Sequence, residues 1–299
     1  MKVLTAPLWE LAEFEEGKAL LDRGKGHVAF SGLYDSQKLH MAYGLSDGFR
    51  YKIIVTFSDL KAREIYEDYQ FYDRDVTLYP AKDLIFYQAD VSGGDLVRER
   101  MRVLRALLEK RPVTIVTTMS ALMMPQTPLS GIVSRILHFD KKSTVDERKL
   151  SAQLVEMGYE KSPQVEEPGQ FSIRGGIIDI FDMTEENPYR IELWGDSVES
   201  IRSFDVLSQR SVENLDEIAI YPAVEWNDGK KMVSFVDYFP KEKMLLFLDE
   251  PNRILENGLG VEEEYAASRT HREEKGEKNL PVQWLCEFSK VQKELNKLR

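Results

Sequence analysis

The chain has 299 residues, which exceeds the usual size of one compact domain, so two domains are expected. It carries 40 Lys and Arg against 51 Asp and Glu, and this net charge of −11 argues against a chain built mainly to bind nucleic-acid phosphates. The single cysteine, Cys286, excludes an internal disulfide, and no apolar run approaches the roughly 20 residues of a membrane span. Since the amino terminus also lacks the apolar core of a secretion signal, a cytoplasmic location without membrane contact is expected.

Up to residue 119, apolar runs typical of strands alternate with helical patterns. Strands are predicted at 27–33, 51–58, 75–80 and 113–119, and helices at 37–45, 59–72 and 93–110. Asp59 is predicted to cap the second of these helices. Strands and helices in this order indicate an α/β fold with a mostly parallel sheet flanked by helices, related to P-loop and helicase-type domains.

The composition changes near the prolines at 125–131, where we expect a domain boundary. A strand at 132–140, a helix at 145–161 and antiparallel strands from 169 onward predict a small α+β domain over 126–213. The Gly175-Gly176 pair suits a tight hairpin turn.

A buried parallel strand is predicted again at 244–250. The small domain is therefore expected to be an insertion into a discontinuous first domain, formed by 1–125 and 214–299. The last 40 or so residues are helical in character without a capping signal, as in a chain that continues further.

In the strand predicted over 189–194, the period of two places Arg190, Glu192 and Trp194 on the face opposite to Tyr189. A tryptophan between charges on a polar face is unusual, and Arg and Trp often dominate the binding energy at protein interfaces. The pattern favours a docking surface. The alternative is that another element of the same domain covers Trp194.

The loop after the first predicted strand has part of a phosphate-binding motif. Gly32 and Lys38 have the separation found in G-x-x-x-x-G-K-[ST]. Gln37 stands where the second glycine should let the backbone approach the phosphate, and Leu39 replaces the hydroxyl that binds magnesium. The motif is therefore degenerate.

Two acidic residues, Asp249 and Glu250, end the predicted strand at 244–250 and are of the kind that holds magnesium in helicase-type ATPases. Together with Lys38 they indicate a vestigial nucleotide site. The alternatives are a solvated lysine and a strand-end turn. The scattered histidines and single cysteine predict no metal site, and no catalytic residues are evident.

Several specific segments follow one another in an order typical of one family. They include TFSDLKAREIYEDY, GGDLVRERMRVLRALLEK, FSIRGGIIDIF and YRIELWGDSVESIRSFD. In this order they resemble the UvrB-homology module at the amino terminus of bacterial transcription-repair coupling factor (Mfd), over essentially residues 1–250. UvrB shares these motifs, but it has an intact phosphate loop and a long aromatic hairpin. Here Phe86 and Tyr87 are the only aromatic residues between Tyr79 and the next helix.

The resemblance implies that the inserted domain binds UvrA, the damage-recognition subunit of nucleotide excision repair. The family's UvrA-binding residues correspond to Arg174, Arg190 and Trp194, the last standing where phenylalanine is expected in relatives. The resemblance also implies that this part of the protein is not an enzyme and holds no cofactor.

In the full-length family protein, a separate ATP- and magnesium-dependent translocase module acts on double-stranded DNA, and another domain contacts RNA polymerase. In relatives, a carboxy-terminal domain also covers the UvrA-binding surface by intramolecular contact.

Two other functions stay open. The first is an active UvrB-like, ATP-dependent helicase-type protein that binds damaged DNA. The second is direct DNA binding by the small domain, although residues 126–213 carry ten Lys and Arg against sixteen Asp and Glu.

Overall fold

The computed structural model describes residues 2–24, 27–81, 93–225, 232–239, 244–275 and 285–297. The chain divides into two compact units. Unit 1 comprises Met1–Gln88, Glu109–Gln126 and Met232–Arg299, and unit 2 comprises Ala89–Leu108 and Thr127–Lys231. Phe86 and Tyr87 lie outside the described residues.

The elements of the described residues are numbered in chain order. The helices are α1 (Lys2–Thr5), α2 (Ala12–Asp22), α3 (Asp35–Leu45), α4 (Asp59–Tyr69), α5 (Gly93–Leu108), α6 (Met119–Leu122), α7 (Leu129–Val133), α8 (Glu147–Glu156), α9 (Pro251–Glu274) and α10 (Phe288–Leu295). The strands are β1 (Tyr51–Thr56), β2 (Val76–Tyr79), β3 (Val113–Thr118), β4 (Pro125–Gln126), β5 (Leu137–Asp140), β6 (Glu160–Lys161), β7 (Gln170–Arg174), β8 (Ile177–Ile180), β9 (Tyr189–Trp194), β10 (Ser197–Phe204), β11 (Ser211–Leu215), β12 (Glu217–Ile220), β13 (Val233–Ser234) and β14 (Met244–Leu248). Single 3-10 turns cover Ala6–Glu10 and Phe235–Tyr238.

Unit 1 is built on a parallel sheet with the strand order β14-β1-β3-β2. The neighbours Ile53 and Ile54 of β1 are both buried, as expected for a strand that is covered on both faces. Helices α3 and α4 pack on one face through a cluster that includes Leu39 and Ile65. The predicted α/β fold with a mostly parallel sheet is confirmed. The strand predicted at 244–250 is β14, which pairs in parallel with β1.

Two local predictions for unit 1 were wrong. Residues 27–33 form no strand within the described part of the chain: Gly32 has a φ of 77°, and Phe30 and Leu33 pack against the cluster around Phe14. The cap of α4 is Ser58, whose Oγ accepts a hydrogen bond from the Lys61 backbone N–H at 3.2 Å, whereas Asp59 occupies the first turn.

Unit 2 contains a sheet with the order β11-β10-β9-β8-β7-β6, antiparallel except for the β6–β7 pair. Helix α8 covers one face through Leu150 and Leu154, which pack with Ile178 and Ile191 of the sheet. Strand β5 pairs with β12 in a separate ladder. This is the predicted small α+β architecture.

Residues 132–140, predicted as one strand, are divided between the end of α7 and β5. The predicted hairpin at Gly175 and Gly176 is present, with φ values of 56° and 84° that only glycine adopts easily. This turn joins β7 to β8 and fixes their register, Arg174 opposite Ile177.

The core of unit 2 gives a first prediction. Ile191→Ala removes a side chain that is 0% exposed at the centre of the sheet, and should lower the free energy of unfolding by about 2–5 kcal/mol. Urea unfolding followed by circular dichroism measures the change. Val212→Ala on β11, where the side chain is 58% exposed, is the matched control and should stay within about 0.5 kcal/mol of the parent. Equal losses in the two variants would contradict this assignment of the core.

Candidate docking face of the antiparallel sheet

The face of the sheet opposite to α8 carries the side chains that alternation assigned to it. Along β9, Tyr189 and Ile191 are buried, whereas Arg190, Glu192 and Trp194 lie on the other side. Cross-strand pairing of β8 with β9 sets Asp179 opposite Arg190 on this outer face. We call this surface, with Arg174, Asp179, Arg190, Glu192 and Trp194, the outer face.

Trp194 is the most open large side chain of the outer face, with 80% of it exposed. It ends β9 opposite Ser197, next to Gly195, whose φ of 60° allows the tight β9–β10 turn. The alternative that another element of the domain covers this indole is therefore wrong. An exposed tryptophan leaves apolar area in water that a partner could bury.

A buried carboxylate, Asp179, lies at the centre of the outer face and is 0% exposed. Arg190 donates from Nε to Oδ1 at 2.6 Å and from Nη2 to Oδ2 at 2.8 Å, and Nη2 also reaches Gln209 Oε1 at 2.9 Å. Arg174 donates from Nη2 to the same Oδ2 at 2.7 Å. The hydrogen bonds to Asp179 raise the pKa of Arg190, and its guanidinium stacks 4.1 Å from the centroid of the Phe204 ring.

A second ion pair lies beside the first. Arg202, the cross-strand neighbour of Arg190, donates from Nη1 and Nη2 to the two carboxylate oxygens of Glu192 at 2.9 and 2.6 Å. Ser200 Oγ donates to Glu192 Oε2 at 2.6 Å. The hydrogen bonds from Ser200 and then from Arg202 lower the pKa of the Glu192 carboxyl.

The structure thus brings the three predicted residues of this site to one face, but their side chains differ in exposure. The side chain of Arg174 is 47% exposed, whereas that of Arg190 is only 12% exposed and is held by its own sheet. Sequence reasoning missed Asp179 and Gln209. The hairpin register could have identified Asp179, because a two-residue turn at 175–176 pairs position 179 with 172 on the face of Arg174.

The degenerate phosphate loop lies in unit 1, and its charged residues meet. Lys38 Nζ donates to Asp249 Oδ1 at 2.9 Å and to Glu250 Oε1 at 2.6 Å, and Thr56 Oγ1 donates to Asp249 Oδ2 at 2.9 Å. Partial burial alone would lower the pKa of Lys38, but the hydrogen bonds to Glu250 and Asp249 outweigh it and raise that pKa. Lys38 therefore forms ion pairs with Asp249 and with Glu250.

The other residues of the motif serve the local fold. Leu39 is buried in the cluster between α3, α4 and the sheet, and Gln37 Oε1 accepts a hydrogen bond from the Tyr34 backbone N–H at 3.1 Å at the start of α3. Gly32 has a φ of 77° in the preceding loop. A cavity of about 770 Å³ is lined by Gly32, Lys38 and the two acids together with apolar side chains.

Other kinds of site find little support. Within the described ranges, no group of three or more His, Cys, Asp or Glu side chains is placed to hold a metal ion. Cys286 is buried, and desolvation raises the pKa of its thiol to about 11, which disfavours the reactive thiolate. No helix in the described segments is both long enough and apolar enough to cross a membrane.

Comparison with known proteins agrees with this geometry. The model of the UvrB interaction domain family matches residues 137–226, which include Arg174, Arg190 and Trp194. The transcription-repair-coupling factor of Bacillus subtilis (strain 168) is 37% identical over 174 residues, which are 58% of this chain and 15% of that protein. Over more than half of its length, the chain is similar to a transcription-repair coupling factor.

A second relative matches a longer part of the chain. The transcription-repair-coupling factor of Staphylococcus aureus (strain MRSA252) is 29% identical over 237 residues, which are 78% of this chain and 20% of that protein. The chain thus spans about a fifth or less of the length of these coupling factors.

The Glu192–Arg202 pair gives a pH prediction. Because the folded-state pKa of Glu192 lies below its ordinary value of 4.5, the ionised carboxylate stabilises the fold above that pH. This contribution is lost as pH falls through the folded-state pKa. The difference in unfolding free energy between the parent and Glu192→Gln should be present at neutral pH and shrink below about pH 4.5. Urea titrations between pH 7 and pH 3 measure it, and a difference that grows on acidification would contradict the assignment.

Proposed function

We propose that this chain recruits UvrA to lesions at which RNA polymerase has stalled, and that UvrA binds the outer face of unit 2. The observation that carries the proposal is Trp194, an indole 80% exposed beside arginine side chains on an ordered sheet face. The match of this unit to the UvrB interaction domain family, and the names of the similar proteins, support the same role.

The chemistry of the outer face suits a protein partner better than a nucleic acid. Its arginines Arg190 and Arg202 are already bonded to Asp179 and Glu192, so little of their charge is free for phosphates. An aromatic anchor on the same face as a partly open guanidinium, that of Arg174, is an arrangement that concentrates binding energy at protein interfaces. Flat sheet faces also hold such anchors with little loss of conformational entropy.

The proposal includes the loss of nucleotide binding and of enzymatic activity in this module. A triphosphate next to Lys38 would have to break its two ion pairs and lie against the carboxylates of Asp249 and Glu250. Leu39 offers no oxygen to magnesium, and its side chain is buried in the hydrophobic core. No cofactor is therefore assigned to this chain.

The remaining activities of the family protein are assigned to parts outside this chain. In the proposed scheme, the full-length protein acts in the cytoplasm, contacts RNA polymerase and moves on double-stranded DNA with ATP and magnesium through other modules. Its carboxy-terminal domain would compete with UvrA for the outer face.

The first test is capture of UvrA. Trp194→Ala should weaken binding about thirtyfold or more, because truncating a central aromatic anchor commonly costs about 2 kcal/mol or more. Biolayer interferometry with purified UvrA measures the dissociation constant. Phe71→Ala, an exposed aromatic of unit 1, is the matched control and should bind as the parent does.

Two outcomes would count against this role. Parent-like affinity of Trp194→Ala would exclude the outer face as the UvrA site. Binding to short duplex DNA that weakens steeply with salt, and that Trp194→Ala removes, would favour the DNA-binding alternative.

The second test concerns the nucleotide site. Isothermal titration calorimetry with ATP and magnesium should give no saturable heat at millimolar nucleotide, for the parent and for Lys38→Ala alike. Saturable heat in the parent that Lys38→Ala abolishes would contradict the proposed loss of the site and favour an active UvrB-like ATPase.

A further inference from the structure

We infer that Arg190 is a positioning residue: through the buried carboxylate of Asp179 it orients Arg174, and Arg174 makes the guanidinium contact with the partner beside Trp194. The inference rests on the proposed function, because it assigns roles within the same outer face. It separates two arginines that sequence reasoning had treated as equivalent.

The bonding of Arg190 is turned inward. Three of its N–H donors are used within unit 2, two by Asp179 and one by Gln209, and its guanidinium plane stacks on Phe204. Its side chain is 12% exposed. Binding a partner carboxylate in a bidentate manner would require Arg190 to release Asp179, which is 0% exposed and would then keep only one bond to a cation.

The bonding of Arg174 is different. Among the described residues its guanidinium has one hydrogen-bond partner, Asp179 Oδ2, and its side chain is 47% exposed. Asp179 Oδ2 is also bonded by Arg190 Nη2, so one oxygen atom links the two guanidiniums. Since this link is charge-assisted and its acceptor is buried, it restricts the rotamers of an otherwise long and mobile side chain.

Strand pairing places Arg174 close to the aromatic anchor. Arg174 is the last residue of β7 and is followed by the Gly175-Gly176 turn. The Leu193 backbone N–H, one residue before Trp194, donates to the Gly176 carbonyl at 2.8 Å. Arg174 and Trp194 therefore lie at the same end of the sheet, each directly before a turn that contains glycine.

A double-mutant cycle on UvrA affinity tests the inference. We expect Arg174→Ala to weaken binding about tenfold or more, as for loss of a charged hydrogen bond. Arg190→Lys keeps the charge but loses the bidentate hydrogen bonds to Asp179. It should weaken binding about tenfold in the parent and less than about twofold in the Arg174→Ala background, because its effect passes through Arg174.

Equal factors for Arg190→Lys in the two backgrounds would overturn the inference, since additivity indicates a direct contact by Arg190. An unchanged affinity for Arg190→Lys in the parent, or for Arg174→Ala, would overturn it as well. Arg269→Lys is the matched control, because it makes the same change in an arginine–carboxylate pair on α9 of unit 1, and it should bind within about twofold of the parent.

A second variant guards against loss of folding. Asp179→Asn keeps the shape of the shared acceptor and removes its charge, and thermal unfolding of every variant shows whether binding is measured on folded protein. Asp179→Asn should show the same dependence on the Arg174 background as Arg190→Lys. If Trp194→Ala also binds as the parent does, the proposed function fails. If Trp194→Ala weakens binding while the cycle is additive, only the assignment of Arg190 fails.

Discussion

The interaction on which the outer face depends is the sharing of one buried carboxylate by two guanidiniums. A carboxylate without solvent must be paired and hydrogen-bonded, or its burial opposes folding. Asp179 meets this requirement with Arg190 on the neighbouring strand and Arg174 on the preceding one. Both guanidiniums are thereby bonded within the sheet. The Trp194 indole and the half-exposed side chain of Arg174 are the parts of the predicted site that another molecule can reach.

The same rule explains the charges around Lys38. A lysine and an acidic pair that would serve phosphate and magnesium in an ATPase lie within hydrogen-bond distance of each other here, because Lys38 reaches Asp249 and Glu250. Glu250 does so from a left-handed backbone conformation, with a φ of 60°, directly before α9. Because Lys38 forms ion pairs with the two acids, these charges are stable in a fold where Leu39 stands at the position of the hydroxyl residue of the motif.

Alternation and turn chemistry predicted much of this from the sequence. The period of two placed Arg190 and Trp194 together, and the paired glycines located the β7–β8 turn, because both signals depend on local backbone geometry. Positions decided by competition between neighbours were harder to predict. Ser58 takes the cap that Asp59 could have taken. Residues 27–33 have strand composition but pack on the core without a partner strand among the described residues. The ion pair of Lys38 with Asp249 joins residues 211 positions apart in the chain, so composition alone could not reveal it, whereas the pairs of Asp179 follow from the register of neighbouring strands.

Anchoring Arg190 in the fold has an evolutionary consequence. A substitution of an exposed residue usually changes the free energy of unfolding little, so such residues can change without loss of the fold. Loss of Arg190 would leave the buried Asp179 carboxylate with Arg174 as its remaining cationic partner, and it would lower the stability of unit 2 as well as the affinity for a partner. Under the proposed function, selection for a stable sheet would therefore also keep Arg190 at the docking surface.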